Sequence, residues 1–449
     1  MNSPRIIDVQ DFINRCRFSP YQWIMLVLCL LIVMIDGFDT AVIGYIAPSL
    51  IHEWNMTKHM MGSLMSAALF GLAFGSLFAG PLADHFGRKP ILILSVFFFG
   101  FWSLVAAKAS SIESLTILRF LTGVGLGASM SNALTLISEY APDRCRALLV
   151  NSVFCGFPIG AALGGFLAGW LIPNFGWRII LVVGGLIPLI LVLLLIFLLP
   201  ESIRYMVARG KSVDKISSTL SQVTRTVVNN VSAFIFNEYK STDTKSALQN
   251  ILSREYILGS AMLWITYFMG LLIFYVLISW MPLLMEDSGF SIRRSVLLTS
   301  LFPLGGGIGT IMAGWLMDRV NPNKVVALAY LLTGAILFTL GHVRDIIFLS
   351  VLIFLAGTAM NSAQSSMGAI AAVFYPTHCR ATGVSWMIGL GRFGGVFGAL
   401  IGVEFMNLNL GFSNIFMLLA VPALIAAIAL TIKNYSEAKK RLIGIILSK

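Results

Sequence analysis

Charge is what this sequence has least of. Only 11% of its 449 residues are Asp, Glu, Lys or Arg, against 57% hydrophobic. A soluble chain carries about a quarter charged residues. This stock cannot build a water-facing surface, so lipid must cover most of it. Cysteine is scarce too. Cys16, Cys29, Cys145, Cys155 and Cys379 show neither metal-ligand spacing nor a disulfide framework. His342 and the other histidines show no ligand spacing either. The glycine-rich phosphate loop of an ATP-driven pump is missing. No metal cluster, nucleophile–base pair or appended signalling domain supports a membrane enzyme or a sensor. The chain therefore reads as no enzyme, with no cofactor and no metal. A cleavable leader is not expected: Arg15 and Arg17 precede the first apolar run, but that run is long and lacks a small-residue cleavage site. The alternating pattern of a membrane barrel is absent.

What the chain does have is apolar runs of about twenty residues, each long enough to cross a bilayer core as a helix. Helices satisfy their own backbone groups, as lipid demands. The pattern predicts twelve transmembrane helices near 22–48, 60–81, 90–108, 114–140, 146–171, 178–199, 257–283, 295–317, 324–341, 346–374, 381–406 and 412–432. The longest polar stretch, about 201–256, separates six segments from six. The expected organisation is an N-terminal six-helix bundle (1–200), a cytoplasmic central loop (201–256) and a C-terminal six-helix bundle (257–449).

The net charge of +11 has a topological reading that needs no nucleic acid. With both termini and the even-numbered connections inside, the opposite loops hold six basic residues: Lys58, Lys108, Arg178, Arg293, Arg294 and Arg344. Arg119 and Arg392 lie inside helices, so 31 − 6 − 2 = 23 remain on the inner side. The positive-inside rule then predicts a multi-pass protein of the bacterial inner membrane with both ends cytoplasmic.

The halves repeat. Gly80-Pro-Leu-Ala-Asp84 matches Gly314-Trp-Leu-Met-Asp318, and 318 − 84 = 234. Pro142-Asp-Arg-Cys145-Arg146-Ala147 matches Pro376-Thr-His-Cys379-Arg380-Ala381 at the same offset, since 380 − 146 = 234. Gly160 and Gly164 align with Gly394 and Gly398. Parallel repeats with a binding site near the midplane describe one class of secondary transporter.

Several motifs carry a family resemblance. Gly80-Pro-Leu-Ala-Asp84-His-Phe-Gly87-Arg88-Lys89 resembles the loop motif of the major facilitator superfamily, with a degraded copy around Asp318. Arg119-Phe-Leu-Thr-Gly123-Val-Gly125-Leu-Gly127 resembles its fourth-helix motif, and Pro200-Glu201-Ser202 the motif that sugar and organic-ion porters share. Asp36-Gly37-Phe38-Asp39-Thr40 is similar to the acidic first-helix motif of the aromatic acid:proton symporters. Tyr375-Pro376-Thr377, Arg380-Ala-Thr-Gly383, Trp386 and Gly391-Arg392 resemble the same branch. The resemblance implies the all-α major facilitator fold, with two pseudo-symmetric six-helix bundles. It ties Asp36, Asp39, Arg119 and Arg392 to transport of benzoate-, hydroxybenzoate- or muconate-type acids.

The chemistry of those residues suits the implication. Ionisable groups within a membrane are costly and usually functional. Apart from the end residues Lys108, Arg178 and Lys324, the third, sixth, ninth and twelfth segments hold none, whereas the first, fourth and eleventh hold them in their interiors. Asp36 and Asp39, three apart, share a helix face. Burial favours a protonated acid and a nearby Arg the ionised one; an acid set between them can take up and release a proton. Arg119 is the expected partner of one of the two acids, and a static structural pair is the competing reading. Arg392, about twelve residues or 18 Å into its helix, suits a bidentate substrate carboxylate; an intraprotein pair is the alternative. Asn132, Tyr267 and Gln364 are candidate contacts to an aromatic ring and its substituents. The neighbouring Trp264, Phe268, Phe274 and Tyr275 serve equally well as packing. Asp84, Arg88, Glu139, Arg146, Asp318 and Arg380 fall at predicted cytoplasmic helix ends, where acid–base pairs would form a gate. Glu404 is left outside the site.

The expected activity is proton-coupled import of a small organic, aromatic carboxylate by alternating access. The partners are the organic anion, protons and the lipid bilayer, with no nucleic acid. A monomer is expected, because one repeat pair completes a pathway. A sugar or polyol porter, or another organic-ion porter of the superfamily, is the alternative, and Arg392 argues for an anion. A drug or cation exporter would want a buried acid without a substrate-facing Arg.

Overall fold

The computed structural model describes residues 5–226, 228, 231–235, 247–317, 319–343, 345–375, 379–408 and 410–447. Local chemistry sets many of the helix starts. Asp8 caps α1 (Val9–Arg15), accepting from the amides of Gln10 and Asp11. The first span, α2 (Pro20–Trp54), opens on a proline, which suits a first turn whose amides have no helical partner. It is longer at both ends than its apolar run. There follow α3 (Lys58–Phe86), α4 (Arg88–Ala106) and α5 (Ile112–Tyr140). Ser111 and Ser114 form a reciprocal capping box at the start of α5. The predicted segment 146–171 is two helices, α6 (Arg146–Phe154) and α7 (Gly156–Phe175), separated at Cys155, and α8 (Arg178–Leu198) closes the first half.

The stretch predicted as a loop carries structure of its own: α9 (Ile203–Ala208), α10 (Val213–Thr224) and α11 (Ala247–Ile251). Strand β1 (Arg5–Asp8) pairs in parallel with β2 (Val231–Ile235). The second half holds α12 (Ile257–Asp287), α13 (Ile292–Met317), α14 (Pro322–Leu340), α15 (Ile346–Phe374), α16 (Arg380–Asn407) and α17 (Gly411–Leu447). Asn321 with Pro322, and Asp345 three residues before Phe348, cap α14 and α15. Twelve helices among the described residues are long and apolar enough to span a membrane. Side chains such as Phe197 and Val373, each 81% exposed, suit a lipid solvent.

The chain forms two compact units. The first comprises Met1–Asp39, Phe70–Gly160 and Leu181–Lys240. In its core, Val9 and Ile13 of α1, Ile216, Leu220 and Val223 of α10 and Phe234 of β2 join Leu92, Val96, Ile137 and Tyr140 from the spanning helices. The N-terminal segment and the central stretch thus share one apolar core with the spanning helices. Alternation at the helical period in α10 (216, 220, 223) is the sequence sign of this role.

The second unit comprises Thr40–Leu69, Ala161–Ile180 and Ser241–Lys449. It combines the second half with the C-terminal part of α2, the N-terminal part of α3, most of α7 and the start of α8. Here glycines admit close neighbours. A Cβ on Gly44 would stand 2.4 Å from the Ile278 carbonyl oxygen, and one on Gly62 2.0 Å from a Val403 methyl.

Equivalent contacts recur inside each unit at the repeat offset. Cβ atoms built on Gly71 and Gly75 of α3 would strike the carbonyl oxygens of Phe120 and Val124 at 2.1 and 2.0 Å. Gly305 and Gly309 of α13 stand the same way against Phe354 and Thr358, each at 2.1 Å. Since 305 − 71 = 354 − 120 = 234, the small-residue packing of α3 on α5 is repeated by α13 on α15. Gly160 against Met34 and Gly394 against Phe268 form another such pair, as 394 − 160 = 268 − 34 = 234.

Candidate transport site

The first unit holds a buried ion pair. Asp39 lies past the middle of α2 and Arg119 in the second turn of α5, and both side chains are fully buried. Arg119 Nη1 donates to Asp39 Oδ1 at 3.0 Å, and Nη2 lies 2.9 Å from Oδ2. Nη2 also donates to the Asp39 main-chain carbonyl at 3.0 Å. The planar guanidinium is thereby fixed against both carboxylate oxygens and the helix backbone. Ser103 of α4, also buried, reaches Asp39 Oδ1 at 3.4 Å and the Leu181 carbonyl at 3.3 Å. Gly184 of α8 leaves room for this: a Cβ there would meet the Phe38 ring at 3.1 Å and Asp39 Oδ1 at 3.7 Å.

Of the two acids that spacing treats alike, Asp39 takes the arginine. Asp36, one turn earlier, is fully buried and engaged in interactions of its own. Between them Gly37 meets α7 so closely that a Cβ would stand 1.9 Å from the Phe157 carbonyl oxygen. A larger residue there would push α7 off the acids. Asn132, 2% exposed on α5, donates to its own helix at the Ala128 carbonyl.

The second unit holds a polar nest. Tyr330 of α14, fully buried, donates its hydroxyl to Gln364 Oε1 at 2.8 Å. The Gln364 Nε2 is buried with no hydrogen-bond partner among the described residues. The Tyr267 phenol adjoins the Gln364 amide and lies within electrostatic reach of Arg392. Gly391 supports that ring, its Cβ position being 2.0 Å from Tyr267 Cδ1, and Gly270 leaves room for Gln364 and Tyr330. Tyr267, Gln364 and Arg392 are therefore brought together as candidates, and Tyr330 joins them. Sequence reasoning missed Tyr330, because one tyrosine in an apolar span carries no spacing signal. Phe274 and Tyr275 are buried against each other, with Phe302 beside Phe274, and serve as packing.

Three of the predicted gate residues also meet. Arg88 Nε donates to Glu139 Oε1 at 2.6 Å, and Nη2 to Asp84 Oδ1 at 3.3 Å. Glu201, noted in the sequence only as part of a motif, organises this corner. Its Oε1 accepts from the amides of Arg88, Lys89 and Ser202 at 2.9, 3.1 and 2.8 Å. Gly87, at φ 107, makes the turn that delivers those amides. Ser202 donates to Glu139, and the Tyr140 hydroxyl to the Glu201 carbonyl. Arg146 instead pairs locally with Asp143 at 2.7 Å. Arg380 donates to the Tyr375 carbonyl at 3.4 Å. Asp318 lies outside the described residues, as do Arg344, Pro376 and Thr377.

Two features depart from expectation. The twelfth span is not free of charge: α17 runs on to Leu447, and Lys433, 1% exposed, binds Glu437 at 2.8 Å and Asn323 at 3.1 Å. The apolar run that defined the segment stops just short of it. In the second unit, His52 Nε2 lies 2.5 Å from Glu286 Oε1. These positions are themselves repeat-related, since 286 − 52 = 234. The offset was the signal that could have found this pair.

Twelve spans, internal repeats and buried charge define a multi-pass membrane carrier. The Major Facilitator Superfamily model matches residues 29–346 and 263–444, and the chain belongs to that family. It is 47% identical over 429 residues to the 4-hydroxybenzoate transporter PcaK of Pseudomonas putida, covering 95% of this chain and 96% of that one. It is 45% identical over 434 residues to the gallate transporter of the same species, with 96% of each chain covered. The crystal structure of a D-xylose-proton symporter shares the fold, at a TM-score of 0.69 and 18% identity over 91% of this chain and 97% of that one. The chain is a transporter of this superfamily, not an enzyme.

Proposed function

We propose that this chain imports an aromatic carboxylate of the hydroxybenzoate type together with protons, by alternating access across the bacterial inner membrane. The observation that carries the proposal is the Asp39–Arg119 pair, sealed from solvent in a transporter. Burying two charges costs more than their attraction returns unless the geometry is excellent, so such a pair is weak support for stability. Within a membrane it points to function.

A proton arriving on an Asp39 carboxylate oxygen neutralises the acid and loosens its hold on Arg119. Loss of that proton to the cytoplasm restores the pair. Asp36 offers a second acid one turn away. In the other unit, Arg392 receives the substrate carboxylate in its planar fork. Gln364, with Tyr330 holding its oxygen, presents an amide N–H to a ring hydroxyl, and Tyr267 adds a further contact; Asn132 is the first unit's own candidate contact. Coupling follows if the empty carrier and the fully loaded one reorient while the half-loaded one does not. The sequence halves 1–200 and 257–449 are the moving bodies of this scheme, and 201–256 connects them. Both termini are cytoplasmic. The Asp84–Arg88–Glu139 corner and Arg146 are the first unit's candidates for the cytoplasmic gate, and Arg380 is the second unit's.

The test is uptake of labelled 4-hydroxybenzoate, gallate, benzoate and xylose into cells, with and without a protonophore, for the native chain and Arg392→Ala. Protonophore-sensitive uptake of an aromatic acid, lost with Arg392→Ala, supports the reading. Transport of xylose alone would replace it with a sugar porter.

A further inference from the structure

A cavity of about 630 Å³ lies where the N-terminal segment meets the end of α10. Arg15, Cys16, Arg17 and Phe18 line one side, Arg225 and Thr226 the other. It belongs wholly to the first unit. The three arginines are exposed, and none joins an ion pair among the described residues. A fourth guanidinium, that of Arg144, binds the Cys16 carbonyl at 3.1 Å.

The conformation of Arg225 is informative. Its φ of 55° and ψ of 27° place it in the left-handed region. Glycine adopts that region freely and is the usual residue at such a helix end, whereas a side chain meets steric resistance. An arginine held there, with its charge on a cavity, suggests that the charge outweighs the backbone preference.

The cavity also has a level and an apolar neighbour. Pro20, on its rim, is the first residue of a spanning helix. Phe18 packs edge-on against Trp23 at 5.2 Å, an aromatic pair of the kind found at membrane–water interfaces. Trp23 and Val27, 54% and 50% exposed, continue along one face of α2. A cationic cavity and an exposed apolar stripe thus adjoin at the start of a spanning helix, the arrangement a phosphate headgroup and its acyl chain require.

We propose that this cavity binds the headgroup phosphate of an anionic phospholipid, with an acyl chain along Trp23 and Val27. The lipid tethers the N-terminal segment to the end of α10.

Cys16, half-buried in the cavity wall, reports occupancy, and Cys145, also half-buried, is the reference thiol in the same chain. The full-length protein is placed in phosphatidylcholine nanodiscs with or without phosphatidylglycerol. Maleimide labelling is then resolved peptide by peptide. Phosphatidylglycerol is expected to slow Cys16 at least about fivefold relative to Cys145, since each basic contact to an anionic surface contributes about that factor. Arg225→Gly removes a charge and relieves the backbone, so protection falls about fivefold while thermal stability holds or rises. Arg15→Gln with Arg17→Gln abolishes protection. Equal protection by inorganic phosphate in phosphatidylcholine discs would overturn the lipid assignment in favour of a soluble anion. Protection that is absent, or unchanged in Arg225→Gly, would reduce these arginines to topological signals.

Discussion

Asp39→Asn keeps the shape of the side chain and removes its charge. Arg119 then faces a neutral amide in a site without solvent. Breaking a buried pair in this way costs about 3–5 kcal/mol, because the surviving charge is uncompensated. That is roughly two to four orders of magnitude in folded population. The Asp39 carbonyl still accepts from Arg119 Nη2, so the lower end is expected. Arg119→Gln strands the carboxylate instead, with Ser103 at 3.4 Å as its remaining side-chain donor among the described residues, and should cost at least as much. Asp39→Asn combined with Arg119→Gln removes both charges and should return stability to within about 1 kcal/mol of native. Function separates from stability in that double variant. It should exchange substrate in counterflow, with no gradient, but fail to accumulate it under an imposed pH gradient. Thermal unfolding of the purified full chain and uptake into proteoliposomes measure the two halves of this expectation. An Asp39→Asn protein as stable as native, or a double variant that accumulates substrate normally, would refute the reasoning.

Gly305→Ala should destabilise by about 1–3 kcal/mol through overpacking, because its Cβ would stand 2.1 Å from the Phe354 carbonyl oxygen. Gly80→Ala, with open space around it, should be neutral in the same thermal assay. Tyr330→Phe removes the hydroxyl that holds Gln364 Oε1; competition uptake should show discrimination between hydroxybenzoate and benzoate falling about tenfold, with benzoate transport kept. His52→Ala and Glu286→Ala should each shift stability by less than about 1 kcal/mol, since His52 is largely exposed, and a double-mutant cycle should show their effects to be non-additive. Burial pushes the Cys379 thiol up, so its thiolate is scarce. Its maleimide labelling should stay slow through the neutral range and quicken only as the pH turns alkaline, read by mass spectrometry of the labelled peptide.

Lipid as solvent makes much of this protein legible from composition. Every spanning backbone must be helical and sheathed in apolar residues, so the twelve spans appear as runs, and the repeat appears as motifs 234 residues apart. The cost of charge in such a medium also made Asp36, Asp39, Arg119 and Arg392 stand out without any geometry. That Arg119 would pair with one of the two acids was legible; which one was not. Asp36 and Asp39 share a face, and only the path of α5 and α8 past α2 gave Arg119 to Asp39. Tyr330 and Glu201 were equally hidden, since one acts through a partner 34 residues away and the other chiefly through the amides of Arg88 and Lys89, more than a hundred residues distant. The polar stretch after α8 read as a loop because its apolar residues are few. Their burial with Val9 and Ile13 depends on a strand pairing between Arg5–Asp8 and Val231–Ile235 that no local pattern announces. Periodicity and transfer energy are properties of a segment and are written along the chain. Which buried group meets which is set by how segments cross, and only the tertiary structure decides it.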